Sequence, residues 1–135
     1  MTPQQKTLVA ENWKHVVPIA DTAASMFYDR LFELDPQVGE LFGNTDMANQ
    51  RDKLVQTLDM AISALDEPEA ILPALRELGR RHRAYGVRDA HYDTVGAALL
   101  WTLRKGLGAH WNDEAEAAWS AAYQLVAEPM RQAAA

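Results

Sequence analysis

The apolar residues of this chain recur at intervals of three and four residues, in segments separated by proline and glycine. The clearest stripe consists of Leu54, Leu58, Ala61, Ile62 and Leu65, which would share one face of an α-helix. No segment shows a useful alternating pattern of the kind that predicts a β-strand. The sequence therefore predicts an all-α fold of about seven helices with short connections.

Local signals mark the ends of the predicted helices. Thr2, Pro3 and Gln5 predict a capping box, and the helix that it opens should run to about Val17, before a break at Pro18. Further helices are predicted over about 19–34, 37–41, 46–65, 69–85 and 89–107, and a last one begins at 112–113. Thr45 or Asp46 is the expected cap of the long fourth helix, and Asp89 the expected cap of the sixth.

Length and charge narrow the class of protein. The 135 residues fit one domain, taken as residues 1–135, and a net charge of −6 argues against nucleic acid as the main partner. The absence of cysteine excludes a disulfide scaffold, an iron–sulfur cluster and a thiolate ligand. There is no apolar run long enough to span a membrane and no signal-peptide pattern at the N-terminus, so we expect a cytoplasmic protein.

One histidine, His82, lies on the apolar face of a predicted helix, in line with Leu75 and Leu78. A buried imidazole costs free energy unless its ring nitrogens find partners. Without further context, a hydrogen-bonded core histidine is the favoured interpretation. The alternative is an axial ligand of haem iron, which leaves the second axial position open for a gas.

Motifs along almost the whole chain resemble those of the globin family, in particular bacterial single-domain haemoglobins, the globin domain of flavohaemoglobins, and neuroglobin. The matching segments are Met26 to Phe32, Pro36 with Leu41-Phe42, Gln50 with Lys53-Leu54, Leu78 with His82, Gly86 and Val87, Tyr92 with Val95-Gly96, and Ala117 to Trp119 with Tyr123. The resemblance implies a globin fold that encloses one haem b.

The resemblance also implies roles on the proximal side of the haem. His82 would be the iron ligand, with Leu78 packed under the haem and a backbone carbonyl near Leu78 accepting from the other ring nitrogen. Phe42 would stack on the haem face, and Val87 would line the pocket. Tyr92 matches a tyrosine that joins the ligand's hydrogen-bond network in bacterial relatives. Ala134 falls roughly where those relatives carry a glutamate, so the carboxylate of their network is not matched here.

On the distal side, the resemblance implies that Tyr28 and Gln50 donate hydrogen bonds to a bound gas, while Leu54 narrows the pocket. Neuroglobin has a histidine where this chain has Gln50, so we expect an open sixth position. The other histidines, His15, His91 and His110, should not reach the iron. Candidate partners of the haem propionates at the rim are Lys53, then Arg81, and Tyr85.

The expected function is therefore reversible binding of dioxygen and other diatomic gases, as an oxygen carrier or store rather than an enzyme. The alternatives are a nitric oxide dioxygenase that works with a separate reductase, or a haem-based gas sensor. Weak peroxidase activity and a haem-free interaction module are less favoured. We expect a monomer or a weak homodimer.

Overall fold

The computed structural model describes residues 1–135 and contains seven α-helices, counting a five-residue α3, and no β-strand. Three short 3₁₀ turns, at Val17–Ile19, Pro68–Ile71 and Gly108–His110, connect some of them. The predicted all-α architecture is confirmed. The helices are α1 (Pro3–Val16), α2 (Ala20–Leu34), α3 (Pro36–Glu40), α4 (Met47–Ser63), α5 (Leu72–Ala84), α6 (Asp89–Leu107) and α7 (Asp113–Ala134).

Two of the predicted side-chain caps are present. Thr2 and Gln5 form the expected capping box of α1, and Asp46, not Thr45, caps α4 by accepting from the backbone N–H groups of Ala48 and Asn49. Asn112 caps α7 in the same way. These side chains satisfy backbone donors that the first helical turn leaves unpaired.

Two helix starts differ from the prediction. The predicted helix over 69–85 begins as a 3₁₀ turn, and its α-helical part starts at Leu72. Pro73 explains this, because a proline lacks the N–H that an earlier helical turn would need and is tolerated only in the first turn. The predicted cap Asp89 is wrong: Arg88 occupies the N-cap position, and its backbone N–H donates to Nδ1 of His91 at 2.9 Å.

The main core lies between α1, α2, α6 and α7, and includes Trp13, Phe27, Leu31, Leu103 and Trp119. A smaller buried cluster of Leu75, Tyr92, Ala127 and Met130 lies beneath α5. Helix α5 packs mainly against α7, whereas α4 packs mainly against α2. Helix α5 carries His82, the predicted proximal residue, and helix α4 carries Gln50, a predicted distal residue. The two helices thus pack on different neighbours, α7 and α2.

The predicted close helix crossing at Gly96 is present. A Cβ atom on Gly96 would lie 2.9 Å from the ring of Tyr123 on α7, which is closer than carbon atoms pack. None of the helices is both long and apolar enough to cross a lipid bilayer.

Candidate functional site

His82 lies in the last turn of α5 and is partly buried. Its Nδ1 is 2.7 Å from the carbonyl oxygen of Leu78, one turn earlier, which is the backbone acceptor expected from the sequence. A carbonyl can only accept, so Nδ1 carries the proton and Nε2 keeps its lone pair. Burial lowers the pKa of His82, and the hydrogen bond to Leu78 opposes this more weakly. A neutral imidazole with a free Nε2 is the form that binds a metal ion.

The chain turns sharply after α5 and returns toward His82. Gly86 adopts a positive φ of 98°, its N–H bonds to the carbonyl of Arg83, and the N–H of Val87 bonds to the carbonyl of His82 at 2.9 Å. This pair of bonds is a Schellman motif, in which glycine supplies the left-handed residue that ends a helix. The turn fixes the position of Val87 relative to the turn of helix that carries His82.

Helix α5 is held against α7 by a glycine that sequence reasoning did not single out. A Cβ atom on Gly79 would lie 2.7 Å from the Cα of Met130, so only a glycine allows the two backbones to approach so closely. The signal was present, because a lone glycine inside a helical pattern often marks such an approach. The contact at Gly79 thereby sets the distance between α7 and the helix that carries His82.

Tyr28 of α2 and Gln50 of α4, the two residues predicted for the distal side, are brought together by the fold. The Gln50 side-chain amide donates to the Tyr28 hydroxyl at 3.2 Å, and the Tyr28 side chain is buried. Burial raises the pKa of Tyr28 and outweighs the opposite effect of Gln50, so the hydroxyl stays protonated. Since its oxygen accepts from Gln50, the hydroxyl hydrogen of Tyr28 remains available for another acceptor.

Phe42 packs against the same tyrosine. Its ring lies 5.6 Å from the ring of Tyr28, edge to face, and 5.6 Å from the ring of Phe32. Such contacts restrict ring orientation as well as burying apolar area. The loop after α3 and the distal tyrosine therefore form one aromatic cluster, to which Phe27 also belongs.

The apolar residues predicted to line the site are neither fully buried nor fully exposed. Leu54 of α4 packs at the edge of the main core, and Leu78 and Val87 pack at the edge of the smaller cluster under α5. Helices α4 and α5 have no extensive contact with one another. The partly covered side chains on the two helices are thus available to a bound group.

A small apolar cavity of about 20 Å³ lies behind Leu54, bordered by Trp13, Phe27, Leu58 and Thr102. The Thr102 hydroxyl donates to the carbonyl of Ala98 at 2.8 Å, so its hydrogen is already used. The other eleven lining residues are apolar, and a water molecule there would lack the partners that it needs. The space behind Leu54 is therefore apolar.

Tyr92 does not join the hydrogen-bond network of His82 as the resemblance implied. The Tyr92 hydroxyl is buried without a hydrogen-bond partner, and the Nδ1 of His82 is taken by Leu78. The backbone carbonyl of Tyr92 accepts from the Tyr123 hydroxyl, and the guanidinium of Arg131 lies 5.2 Å from the Tyr92 ring centre. Arg131 was not expected at this place; it supplies a positive charge on the helix where relatives were expected to supply a glutamate.

The predicted rim residues lie at the surface. Lys53 is exposed and forms no ion pair, and Tyr85 is 68% exposed. Arg81 is also exposed, but it lies 3.5 Å from the carboxylate of Glu77, which competes for its charge. Lys53 is thus the freer of the two cations.

The remaining histidines lie away from these residues. His15 and His110 stack on each other with ring centres 4.1 Å apart, and His91 is held between the Arg88 backbone and the Asp35 carboxylate, 3.9 Å away. No group of three or more histidine or acidic residues that could hold a metal ion by themselves occurs in the structure. His82 therefore stands alone and is not part of a cluster of protein metal ligands.

Known proteins resemble this chain both in sequence and in fold. A flavohemoprotein of Bacillus subtilis is 30% identical over 85% of this chain, and one of Chromobacterium violaceum is 30% identical over 96%. The chain spans about a third of the length of these relatives, 30% and 33% respectively.

Two solved structures share the fold at 17% sequence identity. One is a hexacoordinated heme protein from an anhydrobiotic tardigrade, with a TM-score of 0.88 over 98% of this chain and 94% of that protein. The other is the neuroglobin of the marine acoel Symsagittifera roscoffensis, with a TM-score of 0.85 over 97% of both chains. The family model named Globin matches residues 25–130, which include Tyr28, Phe42, Gln50 and His82. The chain belongs to the Globin family.

Proposed function

We propose that this globin binds haem b through Nε2 of His82 and reversibly binds dioxygen or another diatomic gas on the side of Tyr28 and Gln50. The observation that carries the proposal is the state of His82: its Nδ1 is held by Leu78, and its Nε2 keeps a lone pair. The haem would supply the iron that binds the gas, while the protein sets access and polarity.

The residues present fit a haem group. Leu54, Leu78 and Val87 offer partly covered apolar surface on the two helices that have no extensive contact with each other. Phe42 has its ring orientation fixed by Tyr28 and Phe32, as a stacking residue requires. Lys53 is an unpaired cation at the surface of α4, next in sequence to Leu54, and so suits a propionate.

The distal pair would favour a gas that gains negative charge when it binds. The Tyr28 hydroxyl hydrogen is the available donor, because Gln50 already donates to the Tyr28 oxygen and holds the ring in place. A hydrogen bond of this kind is worth about 1–3 kcal/mol in a dry pocket. We therefore expect tight binding and slow release of dioxygen, which suits a carrier or a store.

We expect the sixth position of the iron to stay open for a gas, because no side chain near Tyr28 is a good iron ligand. The α4 residue that bonds to Tyr28 is an amide, which is a poor iron ligand compared with an imidazole. His15, His91 and His110 are engaged elsewhere. The site thus differs from a bis-histidine arrangement, although one structural neighbour is described as hexacoordinated.

The test is the visible spectrum of the haem-loaded protein, recorded under nitrogen before and after reduction with dithionite, and then in air and in carbon monoxide. We expect a Soret band and a five-coordinate ferrous spectrum that changes on exposure to either gas. A six-coordinate ferrous spectrum under nitrogen would show that a side chain closes the site. No Soret band after reconstitution would leave a haem-free module.

A second candidate is nitric oxide dioxygenation with electrons from a separate reductase. It is favoured by the flavohemoprotein relatives, of which the chain spans about a third. The test adds nitric oxide to the aerated, reduced protein with a separate flavin reductase and NADH, and measures nitrate. Sustained nitrate formation would favour this role, whereas a single turnover would favour the carrier.

A further inference from the structure

The outer surface of α5 carries an unusual concentration of positive charge. Residues 76–88 contain five arginines and one glutamate, in a chain whose net charge is −6. All five arginines are exposed: Arg76, Arg80, Arg81, Arg83 and Arg88. We call this surface, together with the exposed Tyr85, the basic face.

Little within the molecule neutralises the basic face. Glu77 is shared between Arg80 at 3.0 Å and Arg81 at 3.5 Å. Arg83 contacts only a carbonyl oxygen at Ala135, 3.4 Å away, and Arg76 and Arg88 form no ion pair. In contrast, five basic side chains outside the basic face each pair with an acidic side chain. They are Lys6, Lys14, Arg30, Arg51 and Arg131.

Helix geometry brings three of these arginines into line. Arg76, Arg80 and Arg83 are spaced at i, i+4 and i+7, so they form one stripe on α5. His82 and Leu78 lie on another side of the same helix, where Leu78 packs against the smaller core cluster. A helix with its side chains is about 10–12 Å across, so a partner on the stripe would lie roughly that far from the His82 imidazole.

We propose that the basic face is the docking surface for an acidic flavoprotein that donates electrons to the haem. This rests on the proposed function, because ferric iron must be reduced before it can bind dioxygen. The partner's reduced flavin would supply one electron, and ferric haem iron, when bound at His82, would accept it and become ferrous. Arginine and tyrosine are enriched at protein interfaces, and charge complementarity speeds encounter and fixes orientation.

A protein partner suits this surface better than a membrane. Tyr85 is the only large apolar side chain of the basic face that is strongly exposed, so the face has no apolar wedge to insert into lipid. Its five arginines present planar donor groups that match carboxylates. Anionic vesicles therefore serve as the competing outcome of the test.

The experiment measures binding of oxidised flavodoxin, an acidic flavin protein, to the haem-loaded globin by titration calorimetry at low and high salt. The test variant combines Arg76→Gln, Arg80→Gln and Arg83→Gln. The control combines Lys14→Gln, Arg104→Gln and Lys105→Gln, which changes net charge equally and also removes cations from helix ends. Arg81 stays unchanged because it belongs to the proposed haem rim.

We expect the test variant to weaken flavodoxin binding about tenfold or more at low salt, while the control changes it less than about twofold. The rate of haem reduction by reduced flavodoxin should fall in parallel. Equal losses in both variants would show an effect of net charge alone and overturn the proposal. So would the absence of salt-dependent binding, or arginine-dependent binding to anionic phosphatidylglycerol vesicles without binding to flavodoxin.

The spectrum under dithionite and carbon monoxide separates this proposal from the proposed function. Both variants should give the same ferrous and carbon monoxide spectra as the unmodified protein, because dithionite needs no docking surface. If haem does not bind at all, the proposed function fails first. If the spectra are normal and the arginines do not matter, the docking proposal alone fails.

Discussion

The two helices that carry the predicted ligand-binding residues are held in place by different means. Helix α5, which carries His82, is fixed by backbone contacts: Gly79 lies directly on Met130 of α7, and Gly86 ends the helix with a Schellman turn. Helix α4, which carries Gln50, depends on side chains: an Asp46 cap and a 3.2 Å bond from Gln50 to Tyr28. Backbone packing tolerates little displacement, whereas a side-chain amide can change rotamer.

This difference predicts that the His82 side is rigid and the Gln50 side is adaptable. On the proximal side, substitutions should decide whether haem is retained and whether the protein is stable. On the distal side, they should change gas kinetics and leave the fold intact. The following experiments test that division.

The largest effect should come from His82→Ala. Because His82 is the only histidine that is not engaged elsewhere, we expect the variant to lose its haem during gel filtration, with loss of the Soret band. The control is His15→Ala, which removes an exposed imidazole stacked on His110. An unchanged Soret band in His82→Ala would mean that another residue binds the iron.

Gly79→Ala should destabilise the protein through the contact between α5 and α7. The new methyl group would meet the backbone of Met130, which cannot rotate away, so one of the helices must shift. Overpacking of this kind costs about 1–3 kcal/mol, measurable as a lower midpoint of urea unfolding.

The matched control for Gly79 is Gly39→Ala in α3. A methyl group there would lie 3.8 Å from the Phe32 ring, which is an ordinary contact distance. Alanine also favours a helix, so Gly39→Ala should be neutral or stabilising. Equal stability of the two variants would show that α5 is not held by the approach at Gly79.

Tyr28→Phe should act on kinetics alone. Loss of one hydrogen bond of about 1–3 kcal/mol should speed dioxygen release by about tenfold to a hundredfold, while the unfolding midpoint changes little. Stopped-flow displacement of dioxygen by carbon monoxide measures the rate. The control is Thr7→Val, which removes an exposed hydroxyl on α1 and should leave release unchanged. Equal release rates in Tyr28→Phe and the unmodified protein would assign the donor role to Gln50.

The sequence predicted well those features that depend on neighbours one helical turn away. The bond from His82 to Leu78 and the caps at Thr2 and Asp46 are local in this sense. The pairing of Tyr28 with Gln50 is not local, and it was expected because a family resemblance fixed the register between two helices.

Features that depend on the crossing of distant segments could not be predicted in the same way. The approach of Gly79 to Met130 and the position of Arg131 over Tyr92 arise from how α7 crosses α5 and α6. At α6 the error was local but unusual: the helix begins one residue earlier than expected, and the ring of His91, three residues after Arg88, accepts the backbone N–H of Arg88. Propensity rules rank aspartate above arginine at such positions and do not foresee this arrangement.

The smallest effect that we predict is a dependence of apoprotein stability on pH. Burial places the pKa of His82 below its ordinary value of 6.5, so the unfolded chain binds a proton more readily than the folded one. Stability from this group is therefore fully present above about pH 6.5 and is lost as the pH falls below it. When the unfolded chain binds one proton more than the folded protein, the unfolding free energy changes by at most about 1.4 kcal/mol per pH unit.

Urea unfolding of the apoprotein at pH 7.0, 6.0 and 5.0 measures this loss, and His82→Leu isolates the contribution of His82. The leucine variant keeps an apolar side chain against Leu78 but cannot titrate, so its stability should fall less steeply between pH 7.0 and 5.0. His91 and the stacked pair of His15 and His110 are present in both proteins and cancel in the difference. If the unfolding free energy fell equally steeply with pH in His82→Leu and in the unmodified protein, the His82 ring would take up protons as easily in the folded protein as in the unfolded chain. The proximal side would then be open to water and not the more rigid of the two.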